Sequence, residues 1–147
     1  GAFAVIYTAA ILILQFGAWC QIFQTPDLFP VLLFSFVFSR ALASLALLSF
    51  PCSRSTGLAF TFAQNSSRWA VQYILLCMII VCWAAMFHFA IVAASIILLL
   101  VLCSYLWFYF MTRKHFGGLT GDLAGFYIVF CETLVLFASA VIGGMGV

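Results

Sequence analysis

Charged residues are scarce in this chain, and their scarcity decides its class. The 147 residues include five Lys or Arg and three Asp or Glu, so that 5% are charged while 68% are hydrophobic. A typical soluble domain has about 25% charged residues. With a mean hydropathy of +1.33, the chain is too apolar to form a water-soluble core, and we predict an integral membrane protein. The sequence has no basic patch of the kind that binds nucleic acid.

Paired cysteines and a start signal are also missing. None of the six cysteines belongs to a Cys-x-x-Cys pair, and Cys77, Cys82, Cys103 and Cys131 lie inside apolar runs. This pattern favours buried free thiols over disulfides. No initiator Met precedes Gly1, and no signal-peptide features follow it. We therefore expect residues 1–147 to form a single transmembrane domain, the C-terminal part of a longer protein.

Apolar runs of about 20 residues recur along the chain, which is the length an α-helix needs to cross about 30 Å of hydrocarbon. We predict an all-α, polytopic fold with five transmembrane helices and a short re-entrant or interfacial segment at residues 60–64. The helices are expected at about residues 3–23, 28–50, 69–111 (two helices) and 123–141. The run 69–111 is twice the required length, and we place its reversal at residues 85–88. His88 would then be an interfacial residue rather than a metal ligand.

The distribution of basic residues predicts the orientation. Arg54 and Arg68 follow the second helix, and Arg113 and Lys114 follow the fourth, whereas the opposite loops contain no Lys or Arg. Basic loops of membrane proteins stay in the cytoplasm. We therefore expect a multi-pass protein of the inner cell membrane whose basic loops face the cytoplasm.

The segment 113–122 is where charge, glycine and hydroxyl groups come together. Arg113, Lys114 and Arg54 are suited to phosphate oxygens. Asp122 is suited to Mg²⁺, which commonly binds one or two carboxylates together with substrate phosphates. Three glycines can turn their backbone N–H groups toward an anion at the start of the next helix; they are Gly117, Gly118 and Gly121.

A purely structural interpretation of the same segment is equally open. Thr120 or Asp122 can cap the last helix, because short oxygen-bearing side chains accept hydrogen bonds from the first free N–H groups. Gly117, Gly121 and Gly125 can serve only to bring two helices close together.

Two charged residues lie inside predicted helices. Arg40 and Glu132 are each about ten residues from the cytoplasmic ends of their helices, or about 15 Å deep. A charge at that depth is costly unless it is paired or faces a polar cavity. We therefore predict that the second and fifth helices are neighbours, with Arg40 and Glu132 facing one interior space that opens toward Asp122 and Arg54. The alternative is that Arg40 snorkels to the interface.

The glycine-rich segment also resembles a known motif. The run Arg113-Lys114-x-x-Gly117-Gly118-x-Thr120-Gly121-Asp122-x-x-Gly125, followed by Glu132, is similar to the C-terminal signature of the cobalamin 5′-phosphate synthase family, also called adenosylcobinamide-GDP ribazoletransferase. Ser39-Arg40 resembles the family's Gly-Arg step, and Pro51-x-x-Arg54-x-x-Gly57-Leu58 resembles its Pro-x-Ala-Arg-x-x-Gly-Leu loop.

The resemblance implies a membrane transferase that uses Mg²⁺ and joins adenosylcobinamide-GDP to α-ribazole or its 5′-phosphate, with release of GMP. It implies catalytic roles for Asp122, Arg54 and Arg113, and metal binding by Asp122 and Glu132. Substrate phosphates would be bound by the remaining matching residues, which are Arg40, Lys114, Gly117, Gly118, Thr120 and Gly121. The partners would be these two substrates and the bilayer, with no nucleic acid, and the sequence leaves open whether the protein is a homo-oligomer.

The chain departs from the family pattern at two points. The family's acidic stretch, which resembles Asp-Gly-x-x-Asp-x-x-Asp-Gly, is missing and is expected upstream of Gly1. Val129 stands where the family often has a second glutamate, and Asp27 is predicted on the other side of the membrane. Two other classes therefore stay open. One is a non-catalytic membrane subunit or small transporter, and the other is a phosphotransferase that acts on a lipid alcohol.

Overall fold

Five apolar helices make up most of the described chain. The computed structural model describes residues 1–51 and 68–145. The helices are α1 (Ala2–Ile22), α2 (Phe29–Ser49), α3 (Arg68–Phe89), α4 (Ile91–Phe116) and α5 (Gly121–Gly144), with a 3-10 turn (Pro26–Leu28) before α2. Each is long and apolar enough to cross a membrane, so the predicted all-α polytopic fold is confirmed for the described residues. The predicted segment at residues 60–64 lies outside them.

Helices α2 and α5 form the centre of the bundle. α5 packs against α1, α2 and α4, while α2 also packs against α3. Both helices bury small side chains, including Ala43 and Ala46 of α2 and Ala124 of α5. Between membrane helices, where hydrophobic burial gives little net gain, small residues allow close approach and hence good van der Waals packing.

Helix α1 is the outermost helix of the bundle. Only Ala18 and Ile22 of its residues are buried. The Nε2 atom of Gln15 donates a hydrogen bond of 2.6 Å to Oγ1 of Thr133 on α5. Gln15 is the one strongly polar residue in the interior of α1, so its place on the helix is explained by this attachment.

The turn between α3 and α4 lies at Ala90, two residues beyond the predicted reversal at residues 85–88. Ala90 adopts an extended conformation, with φ −150° and ψ 94°. Its N–H still donates to the Met86 carbonyl, and its own carbonyl accepts from Ala94. A single extended residue therefore changes the chain direction with almost no loss of backbone hydrogen bonds. This matters in a membrane, where an unsatisfied backbone group costs several kcal/mol.

Helix α4 ends at Phe116, five residues later than the predicted end at Met111. Arg113, Lys114 and His115 therefore occupy its last turn rather than a loop. Cations are favourable there because the helix dipole places negative partial charge at the C-terminus. The connection to α5 is correspondingly short and consists of residues 117–120.

The five described cysteines are free thiols. Cys82 and Cys131 are buried as predicted, but Cys77 and Cys103 are exposed on the helix surfaces. The prediction of burial was wrong for these two because an apolar run does not distinguish side chains that face another helix from those that face lipid.

Candidate functional site at the junction of helices α4 and α5

Gly117 ends α4 and turns the chain toward α5. It has a φ of 66°, and Gly118 has a φ of 145°, conformations that side-chain-bearing residues rarely adopt. Both N–H groups donate to the Thr112 carbonyl. In this conformation the two N–H groups complete the end of α4. This differs from the expected role, in which the same N–H groups point toward an anion.

A backbone hydrogen bond holds this connection against the end of α2. The N–H of Leu119 donates to the Pro51 carbonyl over 2.8 Å, and Leu119 is buried. The C-terminus of α2 and the α4–α5 connection therefore lie at the same end of the bundle, as the positions of the basic residues predicted. Arg54 follows Pro51 by three residues and lies outside the described residues, as does the rest of that loop, residues 52–58.

Thr120 is the N-cap of α5. Its Oγ1 accepts a hydrogen bond from the N–H of Leu123, and its carbonyl accepts from Ala124. Of the two capping candidates, Thr120 therefore fills this role, while Asp122 is exposed in the first turn. Within the described part of the chain, the N–H groups of Gly121 and Asp122 have no acceptor. These groups lie at the positive end of the helix dipole, which favours an anion.

Among the described residues, the space around two glycines of α5, Gly121 and Gly125, is open. A methyl group placed on Gly121 or Gly125 would meet no atom within 4 Å among the described residues. Close contact between the described helices therefore does not account for these glycines. Gly143, at the other end of α5, is different, because a methyl group there would lie 2.6 Å from Oγ1 of Thr25.

Arg40 and Glu132 form an ion pair between α2 and α5. Nη1 of Arg40 lies 2.8 Å from Oε1 of Glu132, and the Ser39 hydroxyl donates a longer hydrogen bond of 3.4 Å to the same oxygen. The prediction that these two helices are neighbours is confirmed, and so is the pairing of Arg40 with Glu132. The interior location is confirmed only for Glu132, since its side chain is 19% exposed while that of Arg40 is 61% exposed.

The two proposed metal ligands are far apart along α5. Asp122 and Glu132 are separated by ten residues of one helix, or about 15 Å, whereas Mg²⁺ binds its ligands at about 2.1 Å. Glu132 is also engaged with Arg40, and the described residues contain no group of three metal-ligating side chains. The two carboxylates are therefore too far apart to bind one ion, and metal binding by Asp122 stays a prediction.

Tyr109 is a residue of this region that the sequence interpretation missed. Nη1 of Arg113 donates a hydrogen bond of 2.7 Å to the Tyr109 hydroxyl. The spacing of four residues on one helix was a usable signal, because residues i and i+4 are neighbours on a helix surface.

The described cavities lie away from these charged residues. A groove of about 340 Å³ between α1 and α5 has an almost entirely apolar lining that includes Tyr7, Phe126 and Phe130. A second cavity, of about 570 Å³, lies at the opposite end of the bundle and includes Asp27 and His88. The interior space that was predicted to join Arg40 and Glu132 to Asp122 does not coincide with either of them.

Fold and site together define a multi-pass helical membrane protein. At one end its described residues include cations, helix N–H groups without an acceptor among them, and the exposed carboxylate of Asp122. The chain belongs to the cobalamin-5-phosphate synthase family, whose sequence model matches residues 1–140. It is 28% identical over 145 residues to an adenosylcobinamide-GDP ribazoletransferase of Lachnoclostridium phytofermentans. That alignment covers 99% of this chain and 55% of the relative, so the chain spans about half the length of the curated relative. No solved structure matches the chain.

Proposed function

We propose that this chain acts in a membrane transferase that joins adenosylcobinamide-GDP to α-ribazole, or to its 5′-phosphate, and releases GMP. Membership of the cobalamin-5-phosphate synthase family and the ribazoletransferase relative support this activity. The structural observation that carries the proposal is the junction of α4 and α5. Arg113 and Lys114 lie in the last turn of one helix there, and the N–H groups of Gly121 and Asp122, which have no acceptor among the described residues, begin the next helix.

These groups suit the chemistry of a diphosphate. A ribazole hydroxyl would attack the phosphorus that is linked to cobinamide, and the bond from that phosphorus to the GMP oxygen would break. Negative charge then accumulates on the departing GMP. Arg113, Lys114 and the N-terminus of α5 would stabilise this charge, because preorganised cations and N–H donors act most strongly where charge develops.

Magnesium is part of the proposal. When bound, Mg²⁺ would offset negative charge on the phosphate oxygens, and Asp122 is the described carboxylate that is free to hold it. Arg54 is proposed as a further cation of the site. The hydroxyl of Thr120 already caps α5, and the N–H groups of Gly117 and Gly118 already complete the end of α4. These three residues would therefore contribute by setting the shape of the connection.

Arg40 is proposed to contribute to substrate binding through the guanidinium N–H donors that do not contact Glu132. One guanidinium nitrogen contacts the carboxylate, and a guanidinium has five N–H donors in all. Its exposed side chain can therefore bind a second anionic group. Its depth in the bundle places it away from the α4–α5 junction, so we assign it to a different part of the substrate.

The orientation belongs to the same proposal. The phosphate-binding end would face the cytoplasm, since Arg113 and Lys114 lie in the last turn of α4 at this end and basic residues mark the cytoplasmic side of membrane proteins. The membrane would be the inner cell membrane.

A second candidate function is phosphotransfer to a lipid alcohol. The observation that favours it is the apolar groove between α1 and α5, because a lipid chain could enter such a groove from the bilayer. In this reaction the same cations would bind the diphosphate, and only the acceptor would differ.

The deciding experiment supplies the protein in lipid nanodiscs with adenosylcobinamide-GDP, Mg²⁺ and either labelled α-ribazole or a labelled lipid alcohol. We expect GMP release together with label transfer from α-ribazole. Transfer from the lipid alcohol alone would support the second candidate. Binding of adenosylcobinamide-GDP without GMP release would indicate a non-catalytic subunit, and the absence of binding would contradict both transferase proposals.

A further inference from the structure

Tyr109 holds the guanidinium of Arg113 in a fixed position by two contacts. The Tyr109 hydroxyl accepts a hydrogen bond of 2.7 Å from Nη1, and Cζ of Arg113 lies 5.4 Å from the centroid of the Tyr109 ring. A free arginine side chain at a helix end samples many rotamers and loses that freedom on binding a ligand. These contacts reduce the freedom before any ligand arrives.

Tyr109 is itself fixed by the end of α2. Its ring makes an edge-to-face contact with Phe50, with centroids 4.9 Å apart. Phe50 is buried and precedes Pro51, whose carbonyl accepts the hydrogen bond from Leu119. The position of Arg113 is therefore linked, through Tyr109 and Phe50, to the same segment that holds the α4–α5 connection.

Arg113 is oriented without being neutralised, in contrast to Arg40. Arg40 is paired with a carboxylate, which cancels much of its charge. Among the described residues the hydrogen-bond partner of Arg113 is a phenol, which does not cancel its positive charge and leaves its remaining N–H donors available for an anion. An oriented but uncompensated cation is what recognition of phosphate oxygens needs.

We propose that Tyr109 is a positioning residue that orients Arg113 for the diphosphate of the GDP-bearing substrate. This inference rests on the proposed function, because it assigns the anion to that substrate. It adds to the site a residue that matches no part of the glycine-rich motif and that acts through Arg113 rather than by touching the reacting atoms.

The test is the Tyr109→Phe variant, which removes the hydroxyl and keeps the ring and its packing. We expect the KM for adenosylcobinamide-GDP to rise roughly three- to tenfold, the effect of losing one hydrogen bond. The KM for α-ribazole and the thermal stability should stay unchanged. In an Arg113→Ala background the same substitution should have no further effect, because the group that Tyr109 orients is gone.

The matched control is Tyr105→Phe. Tyr105 lies one turn earlier on α4 and also packs against Phe50, with centroids 5.2 Å apart, so it reports the effect of losing a hydroxyl from the same aromatic cluster. A KM that rises equally in both tyrosine variants would overturn the inference, as would an unchanged KM in Tyr109→Phe or an undiminished effect in the Arg113→Ala background. If the wild-type protein neither binds nor turns over adenosylcobinamide-GDP, the proposed function fails and this inference falls with it. Wild-type turnover with an unaffected Tyr109→Phe variant overturns the positioning role alone.

Discussion

For single charged residues of this chain, the group that each one contacts determines whether its charge is available to a ligand. Arg40 and Glu132 neutralise each other within the helices, whereas Arg113 contacts a phenol and Asp122 is exposed in the first turn of α5. A charge inside the bilayer is expensive unless it is paired, so the pairing of the first two stabilises the bundle, and only the N–H donors of Arg40 that do not contact Glu132 are left for a ligand. Arg113 and Asp122 lie at a helix end and a helix start, where charge is tolerated and can serve a ligand.

Asp122 is predicted to be essential for turnover and nearly irrelevant to folding. Because Thr120 supplies the N-cap, Asp122→Asn should lose only the interaction of its charge with the helix dipole, about 0.3–1 kcal/mol. Turnover should fall by at least about 100-fold if the carboxylate holds Mg²⁺. Steady-state kinetics and thermal unfolding of the variant check this. Thr120→Ala is the contrasting variant, with an expected stability loss of about 1 kcal/mol, and normal turnover by Asp122→Asn would contradict the metal role.

The two cations at the end of α4 are predicted to discriminate between the substrates. Arg113→Ala and Lys114→Ala should each raise the KM for adenosylcobinamide-GDP more than the KM for α-ribazole, because only the former substrate has a diphosphate. Initial rates measured with each substrate varied in turn give both constants. Equal effects on the two KM values would mean that these residues only set the orientation in the membrane.

At the scale of elements, the ends of α4 and α5 are more informative than their apolar middles. α4 is extended to Phe116 by the conformation of Gly117 and by three basic residues in its last turn. α5 begins at Gly121 because Thr120 caps it. The short connection that results brings the cations at the end of α4 close to the N-terminus of α5, which is the positive end of its dipole. Gly121 and Gly125 leave open space beside this N-terminus among the described residues.

Gly125 and Gly143 of α5 are predicted to respond differently to substitution by Ala. In Gly125→Ala the added methyl group meets no neighbour among the described residues, and Ala is favoured over Gly in a helix by up to about 1 kcal/mol, so stability should not fall. Turnover should fall if substrate uses the open space. Gly143→Ala would bring a methyl group 2.6 Å from Thr25 Oγ1, and overpacking of this kind costs about 1–3 kcal/mol. Thermal unfolding and turnover of both variants distinguish the two effects. Full activity of Gly125→Ala would show that the space is not used.

At the scale of the molecule, the five helices place two different surfaces at opposite ends of the bundle. One end has the α4–α5 connection bound to the end of α2. The other has the cavity with Asp27 and His88. Arg113 and Lys114, in the last turn of α4, belong to the first end, so among the described residues the two ends of the bundle differ in charge.

The orientation can be tested by labelling from one side of the membrane. In a background without the native cysteines, Asp27→Cys should react with a membrane-impermeant maleimide applied to the outside of spheroplasts. Lys114→Cys should react only after the membrane is permeabilised. The reverse pattern would place the proposed phosphate site outside the cell and would contradict the cytoplasmic assignment.

The sequence by itself determined the class of fold, because runs of about 20 apolar residues have few alternatives to membrane helices. It also determined the pairing of Arg40 with Glu132, since two opposite charges at equal depth in a low-dielectric layer have a strong reason to meet. The family signature in the segment 113–125 was likewise readable from residue types and spacing alone.

Only the tertiary structure decided how the backbone and side chains of the site are used. The N–H groups of Gly117 and Gly118 donate to Thr112 rather than toward a ligand, and Tyr109 orients Arg113. The structure also places Asp122 and Glu132 ten residues apart on one helix, about 15 Å, which is too far for both to bind one ion. The physical reason is that residue type and depth in the membrane determine which polar and charged groups need a partner. Which partner each group finds depends on where the helices end, how each helix is rotated about its axis, and which residues meet in the folded bundle.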